Sequence, residues 1–499
     1  MLLPLLSLVS LSLCASAVNV AVLQQSLAGH GVTAVFQSDP TYSNVSRAFN
    51  RRFTITPVAV AFPTSVAQVS AAVAAGTAQN LEVVARSGGH SYIANGLGGN
   101  NGALVVDMSK MKQITVRSSN NTALIETGNR LGDIALALSA AGRAMPHGTC
   151  SYVGIGGHSG YGGFGFTSRA WGLALDTVKS ATVVLGNGSI VTASGSVNTD
   201  LYWAIRGASP SFGIATSIEV QTFPAPSSAT VFEYKWNNVD IKTAATSISA
   251  FQTYVATPNL PQQFGAELVF SAGETKGTLQ LGLTGGYYAN ISSAALDALL
   301  APYLKNLPTP TSKMFIPGPY INSVSVFADP KPLNTSSGPD GFDTFYTKSL
   351  MTPESAPMSA KAVTAFATYM ANQGFTTKTD WFVEVELYGG SNSAINQVPL
   401  DSTAFAKRDT LFTIQFYTSS NATMLPPFPD AGFTFLDGMV DSILSNEPAD
   451  WNYGAYLNYI DDRLGANATK LYYGSHYPRL EAIKAKVDPK DTFRFPVGL

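Results

Sequence analysis

The sequence predicts a mixed α+β protein with two substantial cores. Three observations carry this. The chain has 499 residues, of which 45% are hydrophobic, too apolar for a disordered chain and too long for one small domain. Strand and helix patterns alternate over the first third. Beyond about residue 226 the two patterns are mixed, and the stretch 381–387 alternates in the manner of a strand.

Taken in order, residues 58–62 read as a strand. Pro63 and Thr64 interrupt it, Ser65 is placed to cap a helix, and 65–78 has helical apolar spacing. Residues 81–86 form the next predicted strand, and a glycine-rich turn follows over 88–99. Short strands are predicted at 104–107, 114–116 and 123–126. Residues 131–141 suit a helix closed by Gly142. Residues 178–185 and 190–192 flank Gly186-Asn187-Gly188-Ser189, a hairpin signal. Pro224, Pro226 and two serines mark a break near residue 225. Strands are predicted beyond it at 266–270, 279–284, 381–387 and 411–417, with a helix at 358–372 and a proline-rich loop at 307–320. Residues 455–461 read as an aromatic strand, followed by a basic helix that ends at Pro489.

Charge narrows the function classes. Only 12% of residues are charged, about half the usual ~25%, and the formal net charge is −2. No basic stripe exists, which argues against nucleic acid. Residues 2–13 are apolar and precede Ala15-Ser16-Ala17, the form of a cleaved secretory leader over 1–17. No later segment is long and apolar enough for a membrane span. Sequons at Asn44, Asn120, Asn187, Asn290, Asn334, Asn421 and Asn467 suit a secreted glycoprotein. Cleavage removes Cys14, so the mature chain keeps Cys150 alone and has no internal disulfide. A lone exported thiol is either buried and inert or used.

Three clusters carry chemistry. Arg86-Ser87-Gly88-Gly89-His90-Ser91-Tyr92 follows a strand directly. Its glycines allow backbone N–H groups close to a phosphate, with an imidazole alongside, although a plain turn would look the same. His147-Gly148-Thr149-Cys150 leads into a glycine-rich run in which Gly160–Gly165 matches G-x-G-x-x-G. The strand that a dinucleotide fingerprint needs before it is missing, so bare backbone packed flat against a cofactor is the better reading. The third cluster holds Tyr456, Asn458 and Tyr459. Alone it reads as a core strand. The five histidines and one mature cysteine form no metal-ligand spacing, so no metal is expected. Ser159 lacks the final glycine of a hydrolase elbow.

Together these motifs resemble the vanillyl-alcohol-oxidase-type flavoproteins, in the berberine-bridge-enzyme-like branch. Within it the order, length and leader look most like the secreted gluco-, xylo- and chito-oligosaccharide oxidases. The resemblance implies a PCMH-type FAD-binding domain of two α/β subdomains over 18–225. It implies a substrate domain over 226–445, with a large antiparallel sheet covered by helices. A C-terminal segment, 446–499, would return to the FAD domain.

The resemblance also implies FAD attached twice, through His90 to the flavin 8α-methyl and through Cys150 to flavin C6. Ser87, Gly88, Gly89 and Ser91, beside Arg86, would cradle the pyrophosphate. Gly154, Gly157 and Gly162 would line the flavin. Thr149, Tyr456 and Asn458 would bind cofactor, and Ile214 would meet the adenine through its main chain. Residues 200–207 match a further family stretch, with Ala208-Ser209-Pro210-Ser211 replacing its glycine run. Tyr459 falls at the family's catalytic base and Glu386 at the carboxylate that accepts its proton. Tyr92, Glu267, Phe382, Glu384 and Gln415 fall at substrate positions, as does Trp381. Glu384 stands where glutamine is usual, and Gly265 where some relatives carry a basic residue.

The implied activity is oxidation of the C1 hydroxyl of a reducing-end oligosaccharide to a lactone and then an aldonic acid. Oxygen would be reduced to hydrogen peroxide. The expected protein is secreted, glycosylated and monomeric. A dehydrogenase of the same fold would use quinones instead. A secondary-metabolite oxidase would bind an apolar substrate in a pocket lacking Glu267, Glu384 and Gln415. A carbohydrate-binding protein without activity would explain the aromatics, but not His90, Cys150 and Tyr459 together.

Overall fold

The computed structural model describes residues 18–420 and 424–499, so the expected leader, Cys14 and Asn421 lie outside the described residues. A four-stranded sheet comes first, in the order Thr33–Phe36, Ala59–Phe62, Leu104–Asp107, Val83–Arg86. The last three strands run parallel. Helix Val66–Ala78 packs Val69, Ala72 and Val73 against it. Its start is fixed as predicted: Ser65 Oγ accepts from the Gln68 N–H at 3.3 Å, a cap worth about 1 kcal/mol.

A five-stranded antiparallel sheet follows, in the order Ile114–Arg117, Thr122–Glu126, Ile214–Gln221, Val178–Val184, Ile190–Ser194. The last two strands form the predicted hairpin, and Gly188 turns it with φ +82°. Helix Leu131–Ala140 packs on this sheet, and Gly142 follows it with φ +67°, a conformation glycine adopts without strain. The C-terminal helix Tyr477–Val487 joins the same core through Leu480 and Ile483.

The third sheet is antiparallel and seven-stranded. Its order is Ser312–Gly318, Ala229–Asp240, Thr278–Tyr287, Phe264–Ala272, Asp380–Leu387, Phe412–Ser419, Phe345–Thr352. Side chains alternate between its faces. Leu268, Phe270, Val383, Val385, Ile414 and Phe416 are fully buried on one face. Helices Ile241–Val255, Ala360–Thr376 and Asp430–Leu444 cover that face. The opposite face carries Glu267, Glu384, Glu386 and Gln415.

Two expectations are corrected. The proline-rich passage 307–320 is not all loop, because Ser312–Gly318 pairs with Ala229–Asp240 as an edge strand. Pro317 is tolerated there because an edge strand leaves one side of its backbone unpaired. Residues 455–461 are not a strand; Leu457–Tyr459 is a single 3₁₀ turn. Among the described residues, no helix is long and apolar enough to cross a membrane.

Candidate active site

A cavity of about 310 Å³ reaches from the glycine-rich turns to the polar face of the seven-stranded sheet. The first of those turns leaves strand Val83–Arg86 at Ser87. Gly88 and Gly154 meet backbone to backbone: a Cβ on Gly88 would lie 2.7 Å from Gly154 Cα and 2.9 Å from Tyr152 O. Neither position admits a side chain. Ser87 does not spend its hydroxyl on the cavity. Its Oγ donates to Thr127 O at 2.5 Å and accepts from the Gly156 N–H at 3.1 Å, tying the two turns together. Arg86 is engaged with Asp107 and donates to Val45 O at 2.6 Å. What remains facing the cavity is largely main chain, as a cradle for a phosphate requires.

The two expected attachment residues both line the cavity. The His90 ring stacks on Phe49 at 4.1 Å, and its Nε2 meets both oxygens of Asp340 at 3.0 and 3.1 Å. The Cys150 thiol is open to solvent in the cavity wall. Burial nonetheless raises its pKa, and Asp340 adds to the rise against the opposing Tyr152 and Val153 N–H groups and Lys331. The loop carrying it is held by His158, whose Nε2 accepts from the Gly148 N–H at 3.0 Å. That bond needs a neutral ring, and burial drives the pKa of His158 down to about 3.

At the far end Tyr459 donates to Glu386 Oε1 at 2.6 Å. The 3₁₀ turn explains the placement, since residues three apart share a side. Tyr456 and Tyr459 thus both reach the cavity, edge to face at 5.1 Å. Tyr456 Oη accepts from the Gly163 N–H at 2.8 Å and from Asn458 Nδ2 at 2.9 Å. Asn458 also donates to His158 O. Tyr92 lies parallel to Tyr459 at 6.0 Å and accepts from Gln415 Nε2 at 3.2 Å.

Strand register assembles three carboxylates here. Glu267 pairs directly with Glu386, and Glu384 lies two residues from Glu386 on the same face. One oxygen from each lies within 4.8 Å of the others. Glu386 is 4% exposed, and its Oε2 has no protein partner. Burial, then the neighbouring Glu384, raises Glu386 well above the usual carboxylate range, and only the Tyr459 hydroxyl opposes the rise. Glu267 is raised well above that range by burial, then by Glu384 and Glu386. Burial pushes Glu384 up to about 7. Tyr459 rises well above 10, through burial and then the charge of Glu386. Oxygen donors in this arrangement are also those that hold hard cations. The sequence expectation of no metal weighed only histidine and cysteine spacing.

Most of the expected residues meet at this cavity: Arg86, Ser87, Gly88, Gly89, His90, Ser91, Tyr92, Thr149, Cys150, Gly154, Gly157, Glu267, Glu384, Glu386, Gln415, Tyr456, Asn458 and Tyr459. Four do not line it. Gly162 lies behind Tyr456, with room for no Cβ, and so seats that ring. The Ile214 side chain is in the core, while its neighbours Gly213 and Ala215 line the cavity. Phe382 stacks on Tyr417 at 4.7 Å. Trp381 points to the covered face, donating to Gly374 O at 2.9 Å. Gly265 is glycine because the Phe166 backbone lies against it. Sequence reasoning missed Asp340, Arg130 and His158. The first two had no motif signal, and His158 stood in plain view within the glycine run.

Comparison with known proteins gives the family. Residues 57–194 match the FAD binding domain family, and 455–499 match the berberine and berberine-like family. The xylooligosaccharide oxidase of Thermothelomyces thermophilus is 35% identical over 95% of this chain and 94% of its own. The FAD-linked oxidoreductase dpmaF of Metarhizium anisopliae is 36% identical over 94% of this chain and 89% of its own. A solved glucooligosaccharide oxidase from Acremonium strictum, described with a 6-S-cysteinyl, 8α-N1-histidyl FAD, superposes with TM-score 0.87. It is 32% identical and covers 96% of this chain and 98% of its own.

Proposed function

The chain belongs to the berberine-bridge-like FAD-binding oxidoreductases, and from that premise we propose that it is a secreted oligosaccharide oxidase. Its substrate is the reducing-end residue of an oligosaccharide, oxidised at C1 to a lactone that water opens to an aldonic acid. Oxygen is the acceptor and hydrogen peroxide the product. The FAD is held covalently by His90 and Cys150, over the cradle of 86–91 and the 154–157 turn.

The observation that carries the reading is the Tyr459–Glu386 hydrogen bond of 2.6 Å. A phenol with an ordinary pKa of ~10 is a weak base at neutral pH, and this one is raised further. It becomes competent when its own proton has somewhere to go. An ionised Glu386 takes that proton as Tyr459 takes the one from the anomeric hydroxyl, so no free phenolate builds up. FAD, when bound, supplies the acceptor for the C1 hydride. Tyr92 and Gln415 hold each other at the mouth of this pair, and with Glu267 and Glu384 they offer hydrogen bonds to sugar hydroxyls. Polar groups gathered at this end of the cavity weigh against an apolar secondary metabolite.

The test is peroxide release by purified protein over cello-, xylo-, malto- and chito-oligosaccharides and lactose. The reading predicts turnover with some of them, rising with chain length. Turnover of the same sugars with a dye acceptor, but no peroxide, would make the protein a dehydrogenase. Silence with both acceptors, from protein carrying flavin, would reject the sugar reading.

A further inference from the structure

We propose that Asp340 is the positioning residue for the histidyl bond to the cofactor. The inference rests on the covalent-attachment reading above and goes beyond it by assigning a group, 250 residues from His90, that directs which atom reacts.

The geometry around His90 is fully specified on one side. Asp340 Oδ2 and Oδ1 lie 3.0 and 3.1 Å from His90 Nε2. Arg130 Nη2 lies 3.2 Å from Asp340 Oδ2, so the carboxylate has a cation behind it. Phe49 stacks on the imidazole at 4.1 Å with an interplanar angle of 23°, which fixes the ring plane. The segment bearing Asp340 is anchored on the same neighbourhood. Tyr152 Oη donates to Gly338 O at 2.7 Å, and Thr335 donates to Asp133 through both its N–H and its hydroxyl, at 3.0 and 2.6 Å. Asp340 itself accepts from the Gly341 N–H at 2.8 Å.

A neutral imidazole carries one proton on one of two nitrogens. A carboxylate bonded at Nε2 keeps the proton there and leaves the lone pair on Nδ1. Nδ1 is therefore the atom that bonds to the flavin 8α-methyl carbon. One C–H bond of that methyl breaks, and an Nδ1–C bond forms. Positive charge builds on the ring during the step, 3.0 Å from Asp340, which also takes the Nε2 proton onward to solvent. The two protons released, with the two electrons left by the broken C–H bond, reduce one dioxygen to hydrogen peroxide. Atoms and charge balance with His90 ending as a neutral, carbon-substituted imidazole. Arg130, 3.2 Å behind it, holds the Asp340 carboxylate aimed at the ring.

The test uses purified holoenzymes of the natural sequence, Asp340→Asn and Asp340→Glu. Each is digested, and the flavin peptides are identified by mass spectrometry. The histidylflavin released by hydrolysis is assigned to the Nδ1 or Nε2 isomer by chromatography. The natural sequence should give flavin joined to both His90 and Cys150, with the Nδ1 isomer alone. Asp340→Asn should remain yellow and joined through Cys150, with the histidyl fraction down about tenfold, as when the carboxylate behind a ligating histidine is removed. Asp340→Glu should restore most of it. A full histidyl fraction in Asp340→Asn, or the Nε2 isomer in the natural sequence, would overturn the proposal. A natural-sequence protein with no His90 bond would instead overturn the attachment reading itself. Should Asp340→Asn not fold, Arg130→Gln replaces it, with a smaller loss of the histidyl fraction expected and an unchanged fraction contradicting the role.

Discussion

The two ends of the cavity are built in opposite ways. At the cofactor end the surface is backbone: Gly88 against Gly154, Gly213 in the wall, and Ser87 spent on tying turns together. At the other end the surface is side chains: three glutamates and a glutamine delivered by strand register, Tyr456 and Tyr459 by one 3₁₀ turn, and Tyr92 from the end of the first glycine-rich turn. Main-chain contact leaves no room for variation, because a single methyl group collides. Side-chain contact can be retuned, because one carboxylate can be changed while the sheet beneath it stays buried and intact. A backbone-built end therefore tolerates almost no substitution, whereas the side-chain end can change its hydrogen bonding and pH range one residue at a time.

Substitutions break the contrast in order of size. Gly88→Ala should have the largest effect. Its Cβ meets the Gly154 backbone and Tyr152 O, which cannot swing aside, and such overpacking costs about 1–3 kcal/mol or more. The variant should be insoluble or colourless, as read by absorbance near the flavin bands; a soluble variant with a full flavin complement would contradict the cradle. Glu386→Gln should stay yellow but lower kcat by about 100-fold, within the range of general-base help. Equal kcat in the two proteins would detach Glu386 from the chemistry.

Glu384→Gln should have the smallest effect on maximal rate and the clearest effect on pH. The proposed mechanism needs Glu386 ionised, and Glu384 is the second cause, after burial, that raises its pKa. The rate should therefore rise with pH through a raised pKa, and Glu384→Gln should move that rise to lower pH. The stability consequence has the opposite slope. Glu384 goes from an ordinary 4.5 up to about 7, so the folded state binds more protons than the unfolded one across that window. Its contribution is complete below pH 4.5 and is lost as pH rises through 7. Thermal unfolding at pH 5 and pH 8 should show a smaller difference in Tm for Glu384→Gln than for the natural sequence.

The same contrast explains what was legible in the sequence. The backbone-built end is written contiguously, as Arg86–Tyr92 and His147–Cys150, so it could be found by reading along the chain. So could the cap at Ser65, the stop at Gly142 and the hairpin at Gly188. The side-chain end is assembled across strands. Glu267 faces Glu386 through a pairing that spans more than a hundred residues, and no local spacing announces it; only a family resemblance gathered these positions. Asp340 escaped for the same reason, since it lies on an irregular segment and meets His90 only in space. The run 455–461 reads as a strand because it is rich in aromatic and branched apolar residues, whereas its two tyrosines, three apart, both face the cavity from a 3₁₀ turn. Proline obscured the strand Ser312–Gly318, which the sheet accepts only at its edge.

The central claim is that Tyr459, backed by Glu386, takes the substrate proton while the cofactor end stays untouched. Stopped-flow reduction of Tyr459→Phe by an oligosaccharide that the natural protein oxidises, under nitrogen, tests it most directly. The account predicts full flavin content, unchanged absorbance before mixing and a reduction rate lower by about 10²–10⁴-fold. Reduction at the natural rate, from a fully flavinylated variant, would contradict it.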